Sequence, residues 1–285
     1  MKRTATVLLA IFMCLTSVQS GYACNSEEAR DKLETALLSG ETDIVIDCEE
    51  NVLKGTLSMD SSRNIRPENA DSRGDYLREG AIKDITAYDP TYINGVYSRR
   101  YKATQRFTKD EIALIKSFVD SVQVEGDAEA EKVVSITEIL CKKLRYKADA
   151  DILSAATKGE GSCAAYAQLF YLIAKNCNIE VRIVRGYVEN DSKTICHEWC
   201  IAKIKDKWYH CDPTISDTKG DVERWTLKGS NVFSKTHQVK DKYDTTEFRK
   251  ACPIAKGDCS QEMTCRFTKA QLPRARGLLL ASQTV

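Results

Sequence analysis

The chain has 285 residues, of which 42 are basic and 41 acidic. So even a balance calls for neither nucleic acid nor an anionic membrane as partner. Twelve cysteines stand against only three histidines. No Cys-x-x-Cys knuckle occurs, and Cys196 and Cys200 have no second pair at zinc-like spacing, so no metal site is expected. No Gly-rich phosphate loop is present either, and no cofactor is expected.

In chain order, Lys2 and Arg3 precede an apolar run from about Val7 to Val18, followed by small residues around Ser20, Gly21 and Ala23. The run is short of the roughly 20 apolar residues a membrane span needs and suits a cleaved secretory signal over residues 1–23. The mature chain is therefore expected to be exported, without a transmembrane span. Its remaining length, about 260 residues, can form one sizeable core with a small accessory region. Eleven cysteines remain: Cys24, Cys48, Cys141, Cys163, Cys177, Cys196, Cys200, Cys211, Cys252, Cys259 and Cys265. Thiols tend to pair in an oxidising compartment, and an odd number leaves at least one unpaired in a monomer.

Residues 24–100 offer a short helix, Glu27 to Leu38, and a strand-like run, Asp43 to Asp47; the stretch from Asp60 to Asp75 is polar and irregular. They are read as an N-terminal accessory region. A clearer helix starts at Thr108, where Thr108 and Glu111 have capping-box spacing and Ile112, Ile115 and Val119 share a face. A second runs from about Ala128 to Leu144, with Val133, Ile136, Leu140 and Leu144 on one stripe. The turn Gly159-Glu160-Gly161-Ser162 leads into a buried helix opened by Cys163 and reaching Asn176. Strands are expected over Val181–Val188, His197–Ile204 and Trp208–Cys211, with Lys205-Asp206-Lys207 as a turn. A helix followed by an antiparallel meander is the ordering of an α+β fold. From about Phe248, Cys252, Cys259 and Cys265 suggest a disulfide-stapled appendage, and the tail from Leu272 has no pattern.

Three residues in this order form a possible nucleophilic site. Cys163 would sit in the first turn of its helix, where unpaired N–H groups and the helix dipole favour a thiolate and could hold an oxyanion. His197 shares a strand face with Trp199, while Cys196 and Cys200 take the other. His210 and His237 are the other histidines, and His237 falls in a polar segment without supporting pattern. Asp212 ends the strand beside that of His197, where its carboxylate could fix the imidazole tautomer and stabilise its cation. Taken singly, each has an ordinary structural explanation: a disulfide, a core histidine, an Asp-Pro turn.

Gly161-Ser162-Cys163-Ala164-Ala165-Tyr166-Ala167, Arg185-Gly186-Tyr187, His197-Glu198-Trp199 and Trp208-Tyr209-His210-Cys211-Asp212-Pro213-Thr214 together resemble the papain-related, transglutaminase-like core. The helix ending in Leu144-Arg145-Tyr146 is similar to the one preceding that family's cysteine. The resemblance spans about residues 100–215. It implies a papain-like core in which a Cys-bearing helix packs on an antiparallel sheet. It further implies Cys163 as nucleophile, His197 as base and Asp212 as orienting carboxylate. The resulting division is a signal at 1–23, an accessory region at 24–100, the core at 101–247 and a Cys-rich end at 248–285. The expected activity is attack on a protein or peptide carboxamide through a thioester, resolved by hydrolysis or acyl transfer. The alternative is an inactive binding or envelope-associated protein of the same fold. Flanking β-sandwich domains of the calcium-dependent cross-linkers have no room here, and the cysteines at 196, 200 and 211, read as local disulfides or packing residues, are not part of the family motif.

Overall fold

A computed structural model describes residues 26–48, 74–190 and 193–259. The expected signal, most of the irregular run at 60–75, Cys24, Cys265 and the tail from residue 272 lie outside the described residues.

Helix α1 (Ser26–Leu38) leads to strand β1 (Asp43–Cys48), where Ile44, Ile46 and Cys48 alternate inward while Val45 faces out. A short helix α2 (Gly74–Tyr76) continues as a π turn, Leu77–Ala81, into β2 (Ile82–Ala87), β3 (Thr91–Ile93) and β4 (Val96–Gln105). Strand β4 pairs antiparallel with β1, β2 and β3. These last three strands were not anticipated from sequence. Only Tyr101 and Ala103 of the ten β4 residues are buried, so alternation is faint. The local signal was the turn: Asn94 and Gly95 both have positive φ, 52° and 84°, the geometry that two-residue hairpins favour.

Helix α3 (Lys109–Asp120) has the expected capping box. Glu111 N–H donates to Thr108 Oγ1, and Thr108 N–H donates to the Glu111 carboxylate at 2.8 Å. Its Ile115 and Val119 are buried, as are Val133, Ile136 and Leu140 of α4 (Glu129–Lys143). A small parallel pair, β5 (Arg145–Tyr146) and β6 (Glu160–Gly161), brackets α5 (Ile152–Lys158), whose C-terminus closes on Gly159 at φ 70°. Helix α6 (Cys163–Asn176) is central, with Ala165 through Phe170 all buried.

Strands β7 (Val181–Asn190), β8 (Lys193–Ile204) and β9 (Lys207–Cys211) form the expected antiparallel meander. Three short helices follow, α7 (Pro213–Lys219), α8 (Val222–Trp225) and α9 (Ser230–Phe233), then β10 (His237–Val239) and α10 (Thr246–Ala251). Strand β10 adds to the free edge of β7, giving the order β10-β7-β8-β9. The architecture is α+β.

The period-two alternation of β8 divides two apolar clusters. Cys200 and Ala202 belong to a large one that runs through α6 and α4 to Leu33, Ile46, Ile82 and Tyr101 of the N-terminal elements. Trp199 and Ile201 belong to a second, with Trp208, Trp225, Phe233 and Phe248. Charge also joins the N-terminal elements to β7. The Asp75 carboxylate accepts from Arg182 Nε at 2.8 Å and from Ile183 N–H at 2.9 Å, with the Arg182 side chain fully buried. Glu79 pairs with Arg78 and with Arg185, both at 2.6 Å, and Arg185 also pairs with Glu198, the neighbour of His197. Three arginines thus meet three carboxylates, the matching that buried charge requires.

The expected disulfides are a correction. No disulfide joins any two described cysteines. Cys252 lies in the second cluster, where its sulfur accepts from Arg182 Nη1 at 3.7 Å, while Cys259 lies in the first, so these two are not joined to each other. No described helix is long and apolar enough to cross a membrane.

Candidate active site

The approach to Cys163 is fixed by backbone pairing. Lys147 N–H donates to the Gly161 carbonyl at 3.0 Å, and Ser162 N–H donates to the Ala150 carbonyl at 2.9 Å. A Cβ at Gly161 would stand 3.2 Å from Ala165 Cβ and 3.3 Å from Ala155 Cβ, so glycine permits the close turn into α6. Ser162 is the N-cap residue but makes no side-chain capping hydrogen bond. The first-turn N–H groups of α6 are therefore not occupied by that hydroxyl, which leaves them available to an oxyanion. Cys163 is a half-buried free thiol. Tyr146 stands beside it: burial, Cys163 and Asp149 all push the phenol upward.

His197 lies on β8 opposite Gly186 of β7. Its Nε2 is 2.6 Å from Asp212 Oδ2, and the Cys163 sulfur is near enough to the same ring to raise its affinity for a proton. With Nε2 committed to the carboxylate, Nδ1 is the nitrogen left for the sulfur. Burial alone would push the imidazole down, but the charge and hydrogen bond of Asp212, helped by Cys163, raise it to about 10. At neutral pH His197 is the cation of the site.

Asp212 is fully buried and works through both oxygens. Oδ1 accepts from Ile215 N–H at 2.9 Å and so caps α7, with Pro213 at the first helical position. Oδ2 faces His197. Burial would push the carboxyl up, yet the His197 charge and hydrogen bonds from two histidines hold it well below the usual carboxylate range. The Asp-Pro turn is thus a helix start that also presents the carboxylate.

The three residues singled out in the sequence come together. His237 also joins them, which the sequence reading did not foresee. Strand β10 places it opposite Val188, buried, with Nε2 3.0 Å from the same Asp212 Oδ2. Burial lowers its affinity for a proton, the Asp212 charge only partly offsetting this. Its ring stacks at 3.8 Å on Phe233, which in turn stacks on His210 at 4.3 Å. Trp199 Nε1 donates to His210 Nδ1 at 3.1 Å, and burial lowers His210 to about 3, leaving it a neutral acceptor. The available signal for His237 was its rarity, one of three histidines, rather than any local pattern. The Asp212, His197 and His237 donor atoms lie within 4.8 Å of one another. Both Nε2 atoms already face one oxygen, so a cation there would have to displace both hydrogen bonds.

Of the remaining cysteines near the site, Cys200 and Cys211 are packing residues and Cys196 is not. Cys196 is exposed. Cys200 and Cys211 are opposite each other in the β8–β9 register, but their sulfurs turn to the carbonyls of Ala167 at 3.3 Å and Tyr209 at 3.8 Å. Burial pushes the Cys200 thiol well up and Cys211 to about 12, making both poor nucleophiles. As the alternation implies, Cys200 and His197 take opposite faces. It is Cys200 that rests on the body of α6, while His197 meets its first residue.

A family model for the transglutaminase-like superfamily matches residues 116–213, the interval from α3 to the residue after Asp212. Residues 116–213 form a transglutaminase-like core. No curated protein matches the sequence. Among solved structures, a candidate cysteine protease from Cytophaga hutchinsonii is 17% identical over 47% of this chain and 65% of its own, with a TM-score of 0.30. A protein described as a TGase is 16% identical over 46% of this chain and 44% of its own, TM-score 0.32. A candidate protease from Parabacteroides distasonis is 12% identical over 46% of this chain and 37% of its own, TM-score 0.26. The alignment spans less than two-thirds of each of these structures. In the transglutaminase-like core of this chain, helix α6 supplies a thiol and uncapped N–H groups, and the meander supplies an imidazolium and its carboxylate.

Proposed function

We propose that this protein is an exported cysteine-nucleophile enzyme that acts on a peptide or protein carboxamide through a thioester. The observation that carries this reading is the imidazole of His197, bonded through Nε2 to Asp212 at 2.6 Å with the Cys163 sulfur near enough to raise its affinity for a proton. Cys163 reacts as the thiolate, its proton already held on the His197 imidazolium, and its sulfur attacks the carbonyl carbon, placing the carbonyl electron pair on oxygen. First-turn N–H groups of α6 receive that oxyanion. Collapse breaks the C–N bond as His197 returns the proton to the departing amine, leaving a thioester on Cys163. Water, deprotonated by His197, then attacks, the C–S bond breaks and the thiol re-forms. An amine in place of water would give a new amide instead. We favour hydrolysis, because water is always available and no amine-binding feature is evident.

Ammonia release from a glutamine-containing dipeptide and peptide release from methylated casein, each with and without cadaverine, test the reaction. Turnover lost in Cys163→Ala is the expected result. An intact chain that turns over neither substrate, and whose Cys163 resists iodoacetamide at neutral pH, would instead fit a non-catalytic binding protein. Export is read from residues 1–23 alone, and N-terminal sequencing of the mature chain checks it: a start at Met1 would end that part of the proposal.

A further inference from the structure

We propose that His237 is a positioning residue for the Cys163–His197–Asp212 site: a neutral imidazole that donates Nε2–H to Asp212 Oδ2 and holds that oxygen for His197. This rests on the reading of the site just given, and it adds a fourth member carried on a separate strand.

Both lone-pair directions of Oδ2 are used, at 2.6 Å by His197 and at 3.0 Å by His237, while Oδ1 is held by Ile215 N–H. A carboxylate accepts only, so each ring nitrogen facing it must carry a hydrogen. The other nitrogen of His237 then decides its charge. Nδ1 lies 2.8 Å from Thr236 Oγ1. A hydroxyl can donate to that nitrogen, giving the neutral Nε2–H tautomer. In the reverse arrangement Nδ1–H would donate to Thr236, whose hydroxyl would turn to the Phe233 carbonyl 3.4 Å away, and His237 would be a cation. The surroundings select the first. Among the described residues, the titratable groups facing His237 are Asp212 from the start of α7, His197 from β8 and His210 from β9, and its ring neighbours are Trp199, Trp225 and Phe233; the Phe233 carbonyl favours the protonated ring, but burial outweighs it. One carboxylate cannot balance two buried imidazolium ions, and a buried charge without a partner is disfavoured. His197 therefore keeps the charge that the chemistry uses, and His237 supplies a hydrogen bond without competing for it. The close seating of β10 is specific: a Cβ on Gly186 would lie 2.1 Å from the Gln238 carbonyl oxygen.

The test uses the full chain labelled with ¹⁵N-histidine, whose three imidazoles can be assigned by single substitutions. His237 is expected to show a proton on Nε2 and none on Nδ1 at neutral pH, while His197 shows both. A doubly protonated His237, or one protonated on Nδ1 alone, overturns the proposal whether or not the chain is an enzyme. In parallel, iodoacetamide modification of Cys163 is followed by mass mapping across pH. A phenyl ring in place of the imidazole keeps the stack on Phe233 and removes the donor, so His237→Phe is expected to slow modification about tenfold at neutral pH. His237→Gln, whose amide N–H can reach the same oxygen, should stay within about twofold of the parent. Equal rates in parent and His237→Phe, with His197→Ala slow, would refute positioning while leaving the catalytic reading intact. If His237→Phe does not fold, the spectrum of the parent chain carries the test by itself: a lone Nε2 proton on His237 supports the proposal, and a proton on Nδ1 overturns it.

Discussion

Replacing Asp212 by Asn is the sharpest perturbation of the site. Asn keeps an oxygen for Ile215 N–H, and the two residues are near-equal N-caps, so α7 retains its start and the charge alone is lost. The consequence for His197 can be sized from its elevation from 6.5 to about 10, which at about 1.4 kcal/mol per pH unit corresponds to roughly 5 kcal/mol. Breaking a buried ion pair by removing one partner typically destabilises by about 3–5 kcal/mol. The two routes agree on a deficit of about 3–5 kcal/mol, a large share of the roughly 5–15 kcal/mol that holds a domain together.

The sign with pH follows from the two directions. His197 is raised in the folded state, so its contribution is complete below 6.5 and is lost as pH climbs through about 10. Asp212 is lowered, so its contribution is present above 3.8 and is lost as pH falls through its folded value. Urea titrations of parent and Asp212→Asn should therefore differ most between about pH 4 and 6.5, with the gap narrowing steadily toward alkaline pH. A deficit below about 1 kcal/mol at pH 6, or a gap that stays constant from pH 6.5 to 10, would refute the ion pair as described.

Two further substitutions probe what holds the site in place. Asp75→Asn strands the charge of fully buried Arg182 and should lower the urea-derived stability by about 3–5 kcal/mol, whereas Asp75→Leu combined with Arg182→Met should recover most of it. Gly186→Ala drives a Cβ to within 2.1 Å of Gln238 O and 2.5 Å of Trp199 Cη2. The expected cost is about 1–3 kcal/mol, with faster amide exchange confined to β10 and its β7 partner; exchange unchanged there would show that β10 is not seated as described.

The capping box at Thr108, the stripes of α3 and α4 and the three strands of the meander could be read directly, because each signal is complete within a dozen residues. Elements between residues 74 and 105 could not. Strand β4 buries only two of its residues, so its pairing with three other strands is decided by contacts from far along the chain. The segment around Arg78 and Glu79 looks merely polar in sequence, yet those charges are buried against Arg185 and Glu198. Cysteine counting pointed to disulfides, but a thiol's partner depends on where the sulfur turns, and Cys200 and Cys211 turn to backbone carbonyls instead.

By itself, the sequence determined the local half of this protein: a cysteine at a helix start, a histidine and an aspartate on neighbouring strands, and the short turns between them. These follow from periodicity and turn chemistry, which act over a few residues. Only the tertiary structure brought the edge strand β10 home and turned Asp212 into an acceptor for two histidines. A hydrogen bond between residues 25 positions apart leaves no periodic trace, since the three-residue strand that carries His237 is held by β7 and by the aromatic stack rather than by any preference of its own.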